Sequence, residues 1–357
     1  MNRLKLLPEK RFGRFRPAAD RLSLLRLVPM LVLILALATA GPGVAQDTAP
    51  RRPDAEESVL VPIDIQGRKR QYRLFVPDGA AGQPRRPLVL VFHGAGGTAE
   101  EMERLTQFNR VARREGFLVA YPQGLYRNWN DGRGALSSLA HLDNVNDLAF
   151  IDALVKDISG QHPLEERRIY AAGLSNGGGF SHYLAAMRPD LIAAIATVGG
   201  SIAQPLSDHF APEKPVSVLL IHGSDDPITP VDGGGVLRGF RGRVLGAQET
   251  AQMWARANSC KETPEGGTLD DEVQDGCRTR WYRWRNQGNG VDVTLFLIDG
   301  MGHTWPGRPP YMAERIIGRS CYDFDASTLI WRFFAEHPRP AQKPAQQAGA
   351  ARLREPR

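Results

Sequence analysis

Six short runs of uninterrupted apolar residues constrain the fold of this chain more than any other feature. They are PLVLVF at 87–92, FLVAY at 117–121, RIYAA at 168–172, AAIATV at 193–198, VSVLLI at 216–221 and VTLFLI at 293–298. A strand with one face in water alternates apolar and polar residues, so runs without alternation predict strands covered on both faces, as in a parallel sheet. Stretches with helical spacing separate them. Thr98 and Glu101 have capping-box spacing ahead of Met102, Leu105, Phe108, Val111 and Ala112. Leu148, Ile151, Leu154, Val155 and Ile158 form a second apolar stripe, and 177–188, 246–258 and 326–336 read as further helices. Strand–helix alternation of this kind predicts an α/β fold, a mostly parallel, doubly wound sheet with helices on both faces. The alternating segments 58–65 and 70–76 predict an antiparallel pair at the sheet edge.

The formal charge of +6 suggests a polyanion partner until its position is considered. Residues 1–26 carry eight Lys or Arg against Glu9 and Asp20, and the chain beyond residue 45 sums to zero. The charge belongs to a leader and not to a basic face of the folded domain, so no nucleic-acid partner is expected. The basic stretch is followed by an apolar run from Leu27 to Ala38 and by small residues ending at Ala45, the order of a secretory signal. That run is shorter than the roughly 20 residues a spanning helix needs, so residues 1–45 are expected to be cleaved and not to anchor the chain in a membrane. The expected folded domain is 46–336, followed by a Pro-, Ala-, Gln- and Arg-rich tail over 337–357 that reads as disordered. Of three cysteines, Cys260 and Cys277 flank 16 residues rich in Gly, Asp and Glu, which reads as a stapled surface loop with Cys321 left free. No cysteine spacing fits a zinc knuckle, and neither metal nor cofactor is expected.

The strongest chemical signal is Gly173-Leu174-Ser175-Asn176-Gly177, directly after the strand RIYAA and before a helix. In that context G-x-S-x-G is a nucleophile elbow: a sharp turn lifts the serine above the sheet, and the small flanking residues let strand and helix approach. The serine needs an oriented base, and the partners follow in the order acid, then histidine, on loops after later strands. VSVLLI runs into His222-Gly223-Ser224-Asp225-Asp226-Pro227, which offers two acids, and VTLFLI runs into Asp299-Gly300-Met301-Gly302-His303, which offers the base. His222 also follows a buried strand, but it lies too close to the acids to serve as their base and is read as structural. His93-Gly94-Ala95-Gly96-Gly97 ends the first buried strand. It is an HG-type turn in the position that supplies one oxyanion donor, so the N–H groups of Ala95 and Asn176 are expected to form the hole.

FHGAGG, YPQG, NDLAFIDALV, RIYAAGLSNGGG, IHGSDDPITPVDGG, GMGHTWPG and FDASTLIWRFF occur in order across residues 60–336. In these motifs the chain resembles the polyhydroxybutyrate depolymerase and feruloyl esterase group of secreted α/β-hydrolases. The resemblance implies the α/β-hydrolase fold, with Ser175, Asp226 and His303 as triad, Ala95 and Asn176 as oxyanion donors, and Trp129 and Trp305 bordering the acyl pocket. It favours Asp226 over Asp225 because the family acid directly precedes the proline of D-P-x-x-P, and a following proline also restricts the acid's own backbone. It implies a secreted serine carboxylesterase acting on feruloyl or acyl polysaccharide esters or on hydroxyalkanoate esters. The chain departs from the family in having Asn146-Asp147 where two acids are common, and Ala95 where a Cys is common. With no polymer-binding module after the basic tail, soluble aromatic or short esters are expected over insoluble polyester. A serine peptidase on the same scaffold predicts amide turnover, and a non-catalytic binding protein predicts a missing triad member.

Overall fold

The structure, a computed structural model, describes residues 58–340 apart from 66, 79–84 and 272. The expected signal at 1–45 therefore lies outside the described residues.

Ten strands form one sheet, with a further two-stranded ribbon in the chain order. The strands are β1 Val59–Ile65, β2 Arg68–Phe75, β3 Arg86–Phe92, β4 Leu118–Pro122, β5 Leu164–Leu174, β6 Ala194–Val198 and β7 Ser217–Gly223. The remainder are the ribbon, β8 Gly233–Gly235 and β9 Arg243–Leu245, followed by β10 Glu265–Thr268, β11 Arg278–Asn286 and β12 Val291–Asp299. The sheet order is β1-β2-β4-β3-β5-β6-β7-β12-β11-β10. The six strands read from apolar runs are its centre, and every pairing among them is parallel. Antiparallel pairs close both edges: β1 with β2, as the alternation predicts, and β11 with β10.

The helices of eight residues or more are α1 Ala99–Thr106, α2 Phe108–Glu115, α3 Asp147–Gln161, α4 Asn176–Met187, α5 Ala247–Ala257 and α6 Ala326–Glu336. Successive side chains of a strand point to opposite faces, and in β3 both faces are apolar. Leu88, Leu90 and Phe92 join a core with Phe150, Leu154, Phe180, Leu184 and Trp254 of α3, α4 and α5. Val89 and Val91 join the opposite core with Met102, Phe108, Val111, Ile330 and Phe334 of α1, α2 and α6. Thr98 caps α1 as its spacing predicts, its hydroxyl accepting from the Glu101 N–H at 3.1 Å. The single helix expected across 99–112 is broken at Gln107, whose φ of 52° is left-handed. The Thr106 carbonyl at the break accepts from the Ser327 hydroxyl at 2.6 Å, a bond to α6 that no local pattern foreshadows.

Two expectations are overturned. The disulfide joins Cys277 to Cys321, with Cα atoms 5.9 Å apart, and Cys260 is free. The cause is β11. Lys261, beside Cys260, bonds to the Arg285 carbonyl near one end of that strand, whereas Cys277 directly precedes Arg278 at the other. At ~3.4 Å per residue the strand holds the two cysteines more than 20 Å apart. The span between them is partly the edge strand β10 and not a free loop. The second correction concerns only the start of the tail, since residues 341–357 lie outside the described residues. Residues 337–340 are ordered onto the body, with Arg339 N–H on the Arg167 carbonyl at 2.8 Å and the Arg339 guanidinium on the Glu166 carbonyl at 2.9 Å.

Candidate active site

Ser175 stands between β5 and α4 with φ 58° and ψ −119°, a region that L-residues rarely occupy. The surrounding glycines make the turn possible. A Cβ on Gly173 would lie 2.3 Å from the Gly177 carbonyl, and one on Gly177 would lie 2.4 Å from the Phe92 carbonyl of β3. Strand, elbow and helix therefore meet only without side chains there. The Ser175 N–H donates to the Val198 carbonyl at 2.8 Å, tying the elbow to the end of β6.

Asp226 and His303 come from the ends of β7 and β12, as expected, and meet. His303 Nδ1 lies 2.6 Å from Asp226 Oδ2, with both side chains buried. Asp226 Oδ1 accepts from the Ile228 and Thr229 N–H groups, each at 2.8 Å. Burial alone raises the Asp226 carboxyl, but the adjacent His303, the hydrogen bond to it, His222 and the Thr229 N–H together hold it below its ordinary value. An ionised acid only accepts, so His303 Nδ1 donates to it, and in the neutral ring that leaves Nε2 as the acceptor. Asp225 is exposed and accepts from the Ser224 hydroxyl at 2.7 Å. His222 Nε2 donates to the Thr229 carbonyl at 2.9 Å and stands 3.7 Å from Asp226 Oδ2, a structural use that braces the acid's loop.

Gly199, the residue after β6, admits the histidine. A Cβ there would come 2.9 Å from His303 Nδ1 and 3.3 Å from Asp226 Oδ2. The residue before it, Val198, is the acceptor of the Ser175 N–H, so Ser175 and the His303–Asp226 pair flank one strand end. His303 is held from behind by its own N–H on the Ile317 carbonyl at 2.5 Å and by the Gly302 N–H on the Arg319 carbonyl at 3.0 Å.

The N–H of Asn176 lies in the first turn of α4, ahead of the first helical bond from Gly179 to the Ser175 carbonyl, and is left unpaired by the helix. In the turn after β3 the Gly96 N–H is taken by the Arg127 carbonyl at 2.7 Å and the Gly97 N–H by the Gly94 carbonyl at 3.0 Å, whereas Ala95 N–H has no backbone acceptor among the described residues. Gly94 touches the nucleophile itself: a Cβ there would meet Ser175 Cβ at 3.5 Å. His93 is held in its neutral form by burial, which lowers it to about 4. Its Nε2 accepts from the Gly124 N–H at 3.0 Å and its Nδ1 donates to the Gly94 carbonyl at 2.8 Å, fixing the turn.

The two tryptophans do not border a pocket. Trp129 and Trp305 are each 0% exposed and sit in opposite cores. Trp129 stacks on Phe180 at 5.0 Å and gives its indole N–H to the His93 carbonyl at 3.0 Å. Trp305 packs edge-on to Phe108 and gives its indole N–H to Ser327 at 3.2 Å. A side chain with no exposed surface has none to offer a substrate. A cleft of about 300 Å³ instead opens at the α1–α2 break, lined by Glu101, Arg104, Leu105, Gln107, Arg308, Pro309 and Tyr311. Burial, and to a lesser degree the charge of Asp226, raises the Tyr311 hydroxyl, and the cleft lining includes none of Ser175, Asp226 and His303.

Sequence reasoning missed a buried polar layer beneath the site. Arg70 and Asp147 pair at 2.8 Å with almost no exposure, and Asp147 accepts from the Asn130 N–H at 2.9 Å. Asn146, beside it, caps α3 by accepting from the Ala149 N–H at 3.0 Å. Asp131 is paired with Arg133 and lies 3.4 Å from His141. Its signals in the sequence were the polar NWND stretch at 128–131 and Asn146-Asp147. Among the described residues the metal-ligating atoms of Asp275, Cys277 and Cys321 lie within 4.8 Å of one another, but both sulfurs are bonded in the disulfide.

Comparison with known proteins gives concordant results. The sequence profile described as Esterase PHB depolymerase matches residues 70–263. The chain is 32% identical over 267 residues to NocK, a protein of Nocardia uniformis subsp. tsuyamanensis named as an esterase, covering 72% of this chain and 77% of that one. It is 29% identical over 237 residues to feruloyl esterase B of Piromyces equi, covering 64% of this chain but only 41% of that protein. Among solved structures, acetyl xylan esterase from Aspergillus awamori superposes with a TM-score of 0.50 at 17% identity, covering 69% of this chain and 94% of that one. At that identity the likeness speaks to the fold, the mostly parallel α/β-hydrolase sheet.

Proposed function

Because this chain belongs to the esterase PHB depolymerase family and hydrolyses carboxylic esters, we propose that it does so as a serine enzyme, with Ser175 as nucleophile, His303 as base and Asp226 as the acid that orients it. The observation that carries the reading is the 2.6 Å contact between His303 Nδ1 and Asp226 Oδ2, beside the strand end that also binds the Ser175 N–H. His303 Nε2 takes the Ser175 proton as the hydroxyl oxygen attacks the ester carbonyl. The tetrahedral oxyanion is received by the N–H groups of Ala95 and Asn176. Collapse expels the alcohol, which leaves with the proton from His303, and the acyl group remains on Ser175. Water, deprotonated by the same nitrogen, then releases the acid and restores the serine.

The substrates proposed are feruloyl or short acyl esters of polysaccharide fragments, in preference to insoluble polyester. The names of the relatives support this choice. The chain is further proposed to be exported after cleavage near Ala45, to an oxidising compartment where the Cys277–Cys321 bond forms. The hydrolase domain would then run from residue 46 to about 340, where Arg339 docks onto 166–167.

The test is turnover of a panel of feruloyl, acetyl and hydroxybutyrate esters, with peptide amides alongside, by the protein lacking residues 1–45. Ester turnover with no amide turnover is expected. Ser175→Ala and His303→Ala should each remove it without changing the melting temperature appreciably. A folded Ser175→Ala protein retaining more than a small fraction of activity would refute the mechanism.

A further inference from the structure

Asn176 carries one of the two proposed oxyanion donors on its main chain, and its side chain is fully engaged. Its Oδ1 accepts from the Trp129 N–H at 2.8 Å, and its Nδ2 donates to the Trp129 carbonyl at 3.1 Å and to Asp131 Oδ2 at 2.9 Å. Trp129 in turn donates its indole N–H to the carbonyl of His93, two residues before Ala95. One bonded chain therefore joins the two backbone segments that supply the hole. It ends on Asp131, which is 1% exposed. Arg133 holds that carboxylate with Nε at 2.7 and 3.0 Å and brings Nη2 against the same oxygen that binds Asn176.

The third glycine of the Gly177-Gly178-Gly179 run is explained by the same contact. Gly179 has no role in the elbow turn, yet a Cβ there would lie 2.7 Å from Asp131 Oδ2 and 2.7 Å from Arg133 Nη2. The ion pair rests on the first turn of the nucleophile helix at the one position where a side chain would displace it. Its charges also fit. Arg133 neutralises Asp131, so the carboxylate can grip the Asn176 amide without setting a net negative charge beside a developing oxyanion.

We propose that Asp131, paired with Arg133 and seated on Gly179, is the positioning residue of the oxyanion hole and acts through the Asn176 side chain. The proposal rests on the serine mechanism above. Losing an oxyanion donor outright lowers kcat by roughly 10²–10³-fold, so displacing one should lower it by about 10-fold or more.

Two variants test this, Gly179→Ala and Asp131→Ala, assayed for kcat, KM, melting temperature and affinity for an aryl boronic acid, whose tetrahedral adduct places an oxygen in the hole. A merely structural Gly179 predicts a lower melting temperature, from the clash with the buried ion pair, at an unchanged kcat. The positioning role predicts that kcat and boronate affinity fall together while KM stays within about 2-fold. If either variant fails to accumulate folded, Asp131→Asn, which keeps the volume and removes the charge, is read in the same way. Wild-type kcat in these variants, with or without a lower melting temperature, overturns the positioning role. Ser175→Ala run in parallel separates the two claims. Activity in that variant defeats the serine mechanism, whereas its silence together with wild-type kcat in the Asp131 and Gly179 variants defeats the positioning role alone.

Discussion

Acidification from pH 7 to pH 5 should destabilise this protein, and two buried histidines set the scale. His182 of α4 accepts the Trp254 indole N–H at Nδ1, 2.9 Å away, and burial lowers its ring to about 3. His93, likewise buried and likewise serving as an acceptor, is lowered to about 4. In the unfolded chain both return to about 6.5. As the pH falls from 7 to 5 the unfolded state therefore takes up protons that the native state refuses. Stability rises with pH across this window and is lost as pH falls through it. Each group contributes about 2 kcal/mol between pH 7 and pH 5, about 4 kcal/mol for the pair. His141 and His222 are lowered as well and act in the same direction. For a domain of this size about 4 kcal/mol corresponds to a melting temperature roughly 7 °C lower. The assay is urea unfolding at half-unit steps from pH 7 to pH 5, repeated on His182→Gln. Glutamine offers Trp254 an acceptor that does not titrate, so about half of the pair's pH dependence should disappear whatever the variant's absolute stability. A flat profile in the wild type, or an unchanged slope in His182→Gln, would refute the reasoning.

Asp226→Asn should lower ester turnover by roughly 10⁴-fold, because it permits the wrong His303 tautomer; Asp225→Asn, on an exposed carboxylate, should stay within a few-fold. The comparison is steady-state kinetics on one ester, and an inverted ranking would move the acid by one residue. Cys277→Ser opens a closure with a sequence separation of 44 and should cost about 4 kcal/mol in the chain-entropy estimate; non-reduced peptide mapping should join Cys277 to Cys321 and leave Cys260 alone. Burial raises the free Cys260 thiol to about 11, so iodoacetamide at pH 7.5 should label it only slowly until the protein is unfolded. Arg70→Met, which strands Asp147 without its buried partner, should destabilise by about 3–5 kcal/mol in chemical denaturation.

The sequence alone determined the parts of this protein that rest on local chemistry. Uninterrupted apolar runs mark strands buried on both faces, and all six became the parallel centre of the sheet. The elbow was legible because the clash that excludes a side chain at Gly173 arises within five residues, at Gly177, and the Asp226 and His303 loops because each follows such a strand. What the tertiary structure decided depends on which distant segments meet. The cysteine pairing is one such case, because β11, whose Arg- and Trp-rich pattern RTRWYRWRN carries no clean alternation, separates Cys260 from Cys277, and Cys277 pairs with Cys321. Trp129 and Trp305 lie in the core and not at a pocket, since an indole's burial is fixed by what packs over it and not by its neighbours in sequence. The Asp131–Arg133 pair, and with it the need for Gly179, was invisible for the same reason. Its partners are the side chain of Asn176 and the first turn of α4, 45 or more residues along the chain. A buried charge finds its compensation in space, and only the folded chain brings those groups together.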